Sequence, residues 1–203
     1  NCAHAFCEII KDKQGIQIDS IYTVYISDAR HEAAIKNNTY TTDLWKTMTE
    51  LLKEEKNVTY VKENDTFEVL GLNFKALHAW EETDEIGSFE YSNGSLCFTI
   101  QGSEEQLLYL SKLTASMESS LIERHGDELK SDYVQINDNG MWTMSMEFYD
   151  RVSPRYVFMD CGSDYLKPGI YGSGAWDLYN YMPQRFNAQV DIYDTAPNWM
   201  VLK

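Results

Sequence analysis

Residues 102–126 read GSEEQLLYLSKLTASMESSLIERHG, and their reading sets the architecture of the whole chain. Ser103 and Gln106 form an S-x-x-Q capping box directly after Gly102, with Glu104 and Glu105 placed for the positive end of a helix. Leu107, Leu110, Thr114, Met117 and Leu121 then trace one face at helical spacing. Arg124 and His125 suit the negative helix end, and Gly126 is a natural terminator. The pattern predicts a helix over about 104–125.

Strands are expected on both sides of it. Upstream, Phe89 and Tyr91 lead into Ser92-Asn93-Gly94, and Leu96, Phe98 and Ile100 alternate on the way out. Asn-Gly is a strong hairpin signal because both residues tolerate positive φ. Residues 57–62 and 66–77 read as two further strands around the polar turn Glu63-Asn64-Asp65. Residues 16–26 are rich in β-branched and aromatic side chains and predict another. Between them, 42–55 carries Leu44, Trp45, Met48, Leu51 and Leu52 on one helical face, and Asp28–Ile35 adds a short helix. Downstream, strands are expected at Met141–Tyr149 and Arg155–Asp160.

The class that follows is α+β, with mostly antiparallel sheet and two main helices, about 42–55 and 104–125. The order of elements makes residues 1–160 one domain, with a pseudo-repeat of 1–80 and 81–160. All four prolines lie beyond residue 153, and glycines and aromatics crowd the last 43 residues. Residues 161–203 therefore read as a loop-rich aromatic wrap on the same domain, with a short helical turn near Trp176–Tyr181.

Charge is the other conspicuous feature. The net charge is −15, from 17 Lys and Arg against 32 Asp and Glu. Residues 81–160 hold 5 positive and 16 negative groups, so most of the excess falls in the middle of the chain. Phosphate binding draws on Lys and Arg, so direct contact with DNA or RNA is not expected. Adhesion to an anionic membrane is disfavoured for the same reason. No apolar run approaches the roughly 20 residues of a membrane span.

Motifs for chemistry are sparse. Asn137-Asp138-Asn139-Gly140 resembles the middle of a calcium loop. The first and twelfth ligand positions would be Gln135 and Met146, where carboxylates are needed, so the stretch reads as a turn. Gly172-Ser173-Gly174 has Tyr171 and Ala175 where a nucleophile elbow needs glycines. His31-Glu32 lacks the second histidine of a zinc motif, and no phosphate-cradling glycine loop is present. No cofactor and no metal site are expected. The cysteines are Cys2, Cys7, Cys97 and Cys161. Their number permits two disulfides in three connectivities, while Cys97, in an apolar run, reads as a buried free thiol.

Three functions are expected in turn. The first is a non-enzymatic acidic binding protein that docks onto a basic partner protein, as an inhibitor, an immunity-type protein or a DNA mimic. Its carriers would be Glu81, Glu82, Asp84, Glu85, Glu90, Glu104 and Glu105, with Tyr171, Trp176 and Tyr181 as aromatic anchors. The second is a secreted or envelope-associated domain, in keeping with a start at Asn1, Cys2 next to it, and glycosylation sequons at Asn37, Asn57, Asn64 and Asn93. The third is a hydrolase whose site is assembled from scattered residues, Asp160, Cys161, Asp164 and His78.

Overall fold

The computed structural model describes residues 2–12, 15–37, 42–80, 94–140, 142–167, 174–192 and 202. Its centre is a seven-stranded sheet in simple sequence order: β3 (Thr66–Val69), β4 (Leu72–His78), β5 (Cys97–Gln101), β6 (Gln106–Tyr109), β7 (Tyr133–Gln135), β8 (Tyr156–Met159) and β9 (Gln189–Ile192). The first three pairings are antiparallel and the last three parallel. The α+β class is thus what the chain adopts, with half of the ladder parallel.

Local chemistry explains the switch between the two halves. β3 and β4 meet at Leu70-Gly71, both at positive φ (52° and 80°), the geometry of a two-residue hairpin turn. β5 and β6 close over residues 102–105, where the Gly102 N–H donates to the Glu105 carbonyl at 2.9 Å. After β6, β7 and β8 the chain passes through a helix before the next strand, as parallel neighbours require. These helices are α4 (Glu118–His125), α5 (Met146–Val152) and α6 (Gly174–Phe186).

The three helices supply Leu121, Phe148, Tyr149, Val152, Leu178 and Met182 to one core. That core covers the sheet face bearing Leu108, Val134, Ile136, Val157, Met159 and Ile192. An aromatic ladder occupies the other face. Phe98 stacks on Tyr109 at 4.9 Å, and Tyr133 on Tyr156 at 4.8 Å. The N-terminal layer holds α1 (Cys2–Asp12), α2 (Asp28–Asn37), α3 (Thr42–Glu54) and a parallel pair, β1 (Ile21–Thr23) with β2 (Val58–Tyr60). Ile10, Ile21 and Leu52 form its own small core, and Tyr22 stacks on Phe67 of β3 at 4.0 Å.

Several expectations change here. Helices were expected at 42–55 and 28–35, and both form. The helix expected over 104–125 is interrupted: β6 takes 106–109, and only Glu118–His125 is α-helical, ended by Gly126 at φ 47°. Leu107 and Leu108 are buried on opposite faces of the sheet, between β5 and β7. A strand buried on both sides carries a continuous apolar run, which mimics helical spacing over four residues. The Gln106 amide, expected in a capping box, instead donates to the carbonyls of Glu128 and Lys130 at 3.0 and 2.8 Å.

Residues 57–62 and 66–77 do not pair with each other: β2 joins β1, and 66–77 itself folds into the β3–β4 hairpin. The strand expected at 141–149 is helix α5, because the Ser145 hydroxyl caps it by accepting from the Phe148 N–H at 3.2 Å. The aromatic C-terminal stretch contributes a 13-residue helix and the edge strand β9. The first arm of the hairpin expected around Asn93 lies outside the described residues.

Gly140 closes the turn after β7 at φ 77°, and a Cβ built there would stand 2.8 Å from the Ala175 Cβ of α6. Gly140→Ala is expected to cost about 3 kcal/mol, combining left-handed strain with overpacking against a helix backbone. Urea denaturation measures it, and a loss below about 1 kcal/mol would contradict the packing described.

Candidate functional site

The carboxyl ends of parallel strands are where open α/β sheets bind ligands, because strand ends and following turns leave a crevice there. In this chain β6, β7 and β8 end side by side, and one amide joins them. Gln135, the last residue of β7, is 6% exposed. Its Oε1 accepts from the backbone N–H groups of Leu110 and Ser111, beyond β6, at 3.1 and 2.8 Å. Its Nε2 donates to the Asp160 Oδ2, beyond β8, at 2.8 Å. Because both ends of the amide are engaged, its orientation is fixed and so is the carboxylate it holds.

Asp160 lies at the surface by area but in shielded surroundings. Burial pushes its carboxyl above the ordinary range, and the Gln135 donor opposes that only in part. Among the described residues Gln135 is its one hydrogen-bond donor, which leaves Oδ1 to exchange a proton with a ligand or water. Ser111 has a left-handed backbone, φ 55°, uncommon for a residue with a Cβ. Strain of this kind persists only where surrounding bonds hold it, here the Gln135 oxygen.

Next to Gln135, Asn137 is completely buried and makes four hydrogen bonds. It donates to the carbonyls of Leu113 and Trp142, both at 2.7 Å. It accepts from the Met144 N–H at 3.2 Å and the Tyr149 hydroxyl at 3.0 Å. The strand ends are therefore set by amides. On the aromatic side of the same edge lies a cleft of about 230 Å3, lined among others by Tyr22, Trp45, Met48, Phe98, Tyr109 and Ser111.

The structure separates most residues expected to act together. Glu81, Glu82, Asp84, Glu85, Glu90 and Tyr171 lie outside the described residues. Glu104 lines a polar pocket of about 250 Å3 at the amino ends of β6 and β7, with Lys130 and Asp132. Glu105 pairs with Arg155 at 2.9 Å and accepts from the Tyr133 hydroxyl at 3.3 Å. Trp176 and Tyr181 pack against the main core, and the Tyr181 hydroxyl donates to Asp150 at 2.8 Å.

Of the scattered hydrolase residues, Asp160 and Cys161 stand together after β8. Asp164 is tied to Lys167 at 2.5 Å. His78 is on β4, four strands from β8, or roughly 19 Å at the usual strand spacing, so a Cys161–His78 pair does not form. Cys7, Cys97 and Cys161 are buried and form no disulfide, and burial holds the Cys97 thiol protonated. The Asn57 amide donates to the Ile18 carbonyl, so that sequon is engaged within the fold.

No protein-family model matches the sequence, and no curated protein matches it. Solved structures do share its outline. A diiron β-hydroxylase from Streptomyces venezuelae, CmlA, aligns with 86% of this chain and 38% of its own at 11% identity and a TM-score of 0.49. The metallo-β-lactamase fold protein YhfI from Bacillus subtilis aligns over 95% and 70%, at 10% identity and 0.44. A zinc-dependent hydrolase of the metallo-β-lactamase superfamily from Thermotoga maritima, itself described as putative, aligns over 50% and 48%, at 17% and 0.33. The likeness is one of fold alone. The chain spans about two fifths of the hydroxylase and half of the hydrolase.

Those descriptions name zinc and iron, and the donor set here does not fit either. Among the described residues the strand ends present Gln135, Asn137 and one carboxylate, Asp160. Among the described residues no three His, Cys, Asp or Glu side chains come together to hold a metal ion. No chemical step is therefore routed through a metal.

The expectation of a non-enzymatic acidic docking protein is corrected. The chain's own contacts are the reason. Glu105 is neutralised by Arg155, Glu128 by Lys75 at 2.7 Å, and Glu63 by Arg124. These carboxylates are not presented as a row for a basic partner, and Trp176 and Tyr181 pack inward.

Proposed function

We propose that this chain is a hydrolase that uses Asp160 as its proton-transferring carboxyl at the carboxyl ends of β6–β8. The observation that supports this is the Gln135 amide, which orients Asp160 while burial holds its carboxyl above the ordinary range. A carboxylate made more basic than usual accepts a proton from attacking water more readily than one at its ordinary value, and can return it to the leaving group. Gln135 keeps Oδ2 occupied, so Oδ1 takes the proton. Leu110 and Ser111 hold Gln135 in turn, so the base is fixed by backbone rather than by a mobile side chain. Water is the nucleophile in this reading, because the thiols of Cys97 and Cys161 are buried.

The test is a hydrolysis screen on 4-nitrophenyl acetate, bis(4-nitrophenyl) phosphate and nitrocefin between pH 5 and 9, with wild-type protein against Asp160→Asn. Turnover of at least one substrate that rises with pH and collapses in the variant is the expected result. Turnover unchanged by the substitution, or none on any substrate, overturns the reading.

A further inference from the structure

We infer that the aromatic cleft beside Ser111 is a binding site for a planar, uncharged aromatic group. The inference deepens the hydrolase reading and rests on it for one point only, that the group seated here belongs to the substrate of Asp160. The cleft itself is an independent observation. Phe98 and Tyr109 sit opposite each other on β5 and β6 as a stacked pair, ring centroids 4.9 Å apart and planes 19° from parallel, and both rings line the cleft. Trp45 and Met48 reach the cleft from α3, and Tyr22 reaches it from β1. Flat rings favour offset or edge contacts with other flat rings, and a methionine thioether adapts to an aromatic edge.

Charge decides the ligand's character. None of the described side chains lining the cleft is Lys, Arg, Asp or Glu, although the chain as a whole carries −15. An anion would lose its hydration without gaining a partner there and would meet the protein's own negative field. The polar side-chain groups of the lining residues are all neutral: the hydroxyls of Tyr22, Thr23, Ser95, Tyr109 and Ser111 and the indole N–H of Trp45. They suit a neutral hydroxyl or carbonyl substituent. The volume, about 230 Å3, is below the roughly 300–1,000 Å3 of sites that take a whole drug-sized ligand. One ring system fits, and the rest of the molecule extends outward.

The direction of that extension is set by Ser111. Its strained backbone is fastened by the same Gln135 amide that holds Asp160. A ring in the cleft therefore leaves its substituent one amide group away from the carboxyl. Sequence periodicity carried no sign of this site, because its walls come from four separate regions of the chain.

Titration calorimetry with 2-naphthol tests the inference, with 2-decalol as the non-planar match and 2-naphthyl phosphate as the anionic one. Saturable binding of 2-naphthol is expected, at least tenfold tighter than either analogue. Trp45→Leu should weaken it tenfold or more. Met48→Trp, which fills the cleft from a half-buried position on α3, should abolish it while leaving the circular dichroism spectrum intact. Equal binding of 2-decalol, no saturation by 2-naphthol, or indifference to Met48→Trp in a folded protein overturns the proposal. If 2-naphthol fails to saturate while Asp160-dependent hydrolysis persists, the cleft falls and the hydrolase reading stands. If 2-naphthol binds as described and Asp160→Asn leaves hydrolysis unchanged, the cleft stands and the hydrolase reading falls.

Discussion

Asp160→Asn is expected to lower hydrolytic turnover by about 10²–10⁴-fold, the usual contribution of a positioned general base. The substitution keeps the shape and still accepts from the Gln135 amide, so the strand ends stay in place. Only the ability to take a proton is lost. The same change should alter stability with a definite sign. The folded-state value of Asp160 is raised above the ordinary 3.8 by burial, so the folded protein keeps a proton that the unfolded chain has already released. In the wild type this contribution is neutral well below 3.8. It turns unfavourable as pH rises from there to the folded value, and the full cost remains above it. The asparagine variant never bears that cost. Its melting temperature relative to wild type should therefore rise as pH is taken from 3.5 to 7.5, while its activity stays low. A variant that loses stability with pH more steeply than the wild type would show that Asp160 is held as a paired anion, and the general-base assignment would go with it. Gain of stability together with loss of turnover is the signature of a site that trades one for the other.

How much of this was legible differs from segment to segment. Helix α3 was, because Leu44, Trp45, Met48, Leu51 and Leu52 face one way and a surface helix shows its period openly. The end of α4 was legible for a similar reason: Arg124, His125 and Gly126 act locally. Residues 106–109 were not. Gln-Leu-Leu-Tyr is flanked by acids that look like a helix start, and only the neighbouring strands β5 and β7 make it a strand. The pairing with β7 joins residues 26 apart, overrides local preference, and is carried by no short window of sequence. The site shows the same division. Asp160 stands out as a polar residue ending an apolar run. Gln135 is conspicuous only once Ser111 and Asp160 are known to flank it, since a lone glutamine after two buried residues has no pattern of its own. The acidic stretch misled for a physical reason as well. Charge counts along a chain take no account of the lysines and arginines that folding brings alongside, such as Arg155 beside Glu105 and Lys75 beside Glu128.

Asn137→Leu, an almost equal-volume change, is expected to cost about 4 kcal/mol, a large share of the 5–15 kcal/mol by which domains are stable. The leucine fits the space but answers none of the four hydrogen bonds. It leaves the Leu113 and Trp142 carbonyls, the Met144 N–H and the Tyr149 hydroxyl without the partner they have now. Each buried group so orphaned costs about 1–3 kcal/mol, partly offset by the gain of an apolar side chain. Burial also pushes the Tyr149 hydroxyl well above its ordinary value, so it remains a donor with no route to ionisation. A second substitution separates this account from simple misfit. Tyr149→Phe alone should cost about 1 kcal/mol, because it removes one donor and leaves the Asn137 oxygen its backbone bond. In the Asn137→Leu background the same change should cost nothing or restore stability, because the hydroxyl it removes is already stranded. Urea denaturation of the four proteins measures the coupling. Strict additivity would mean that Asn137 acts by volume alone. Coupling of the expected sign would mean that the turn after β7 is held by its amide. That turn carries Gln135 at its start, so the stiffness of the Asp160 carboxyl begins with a residue that never touches it.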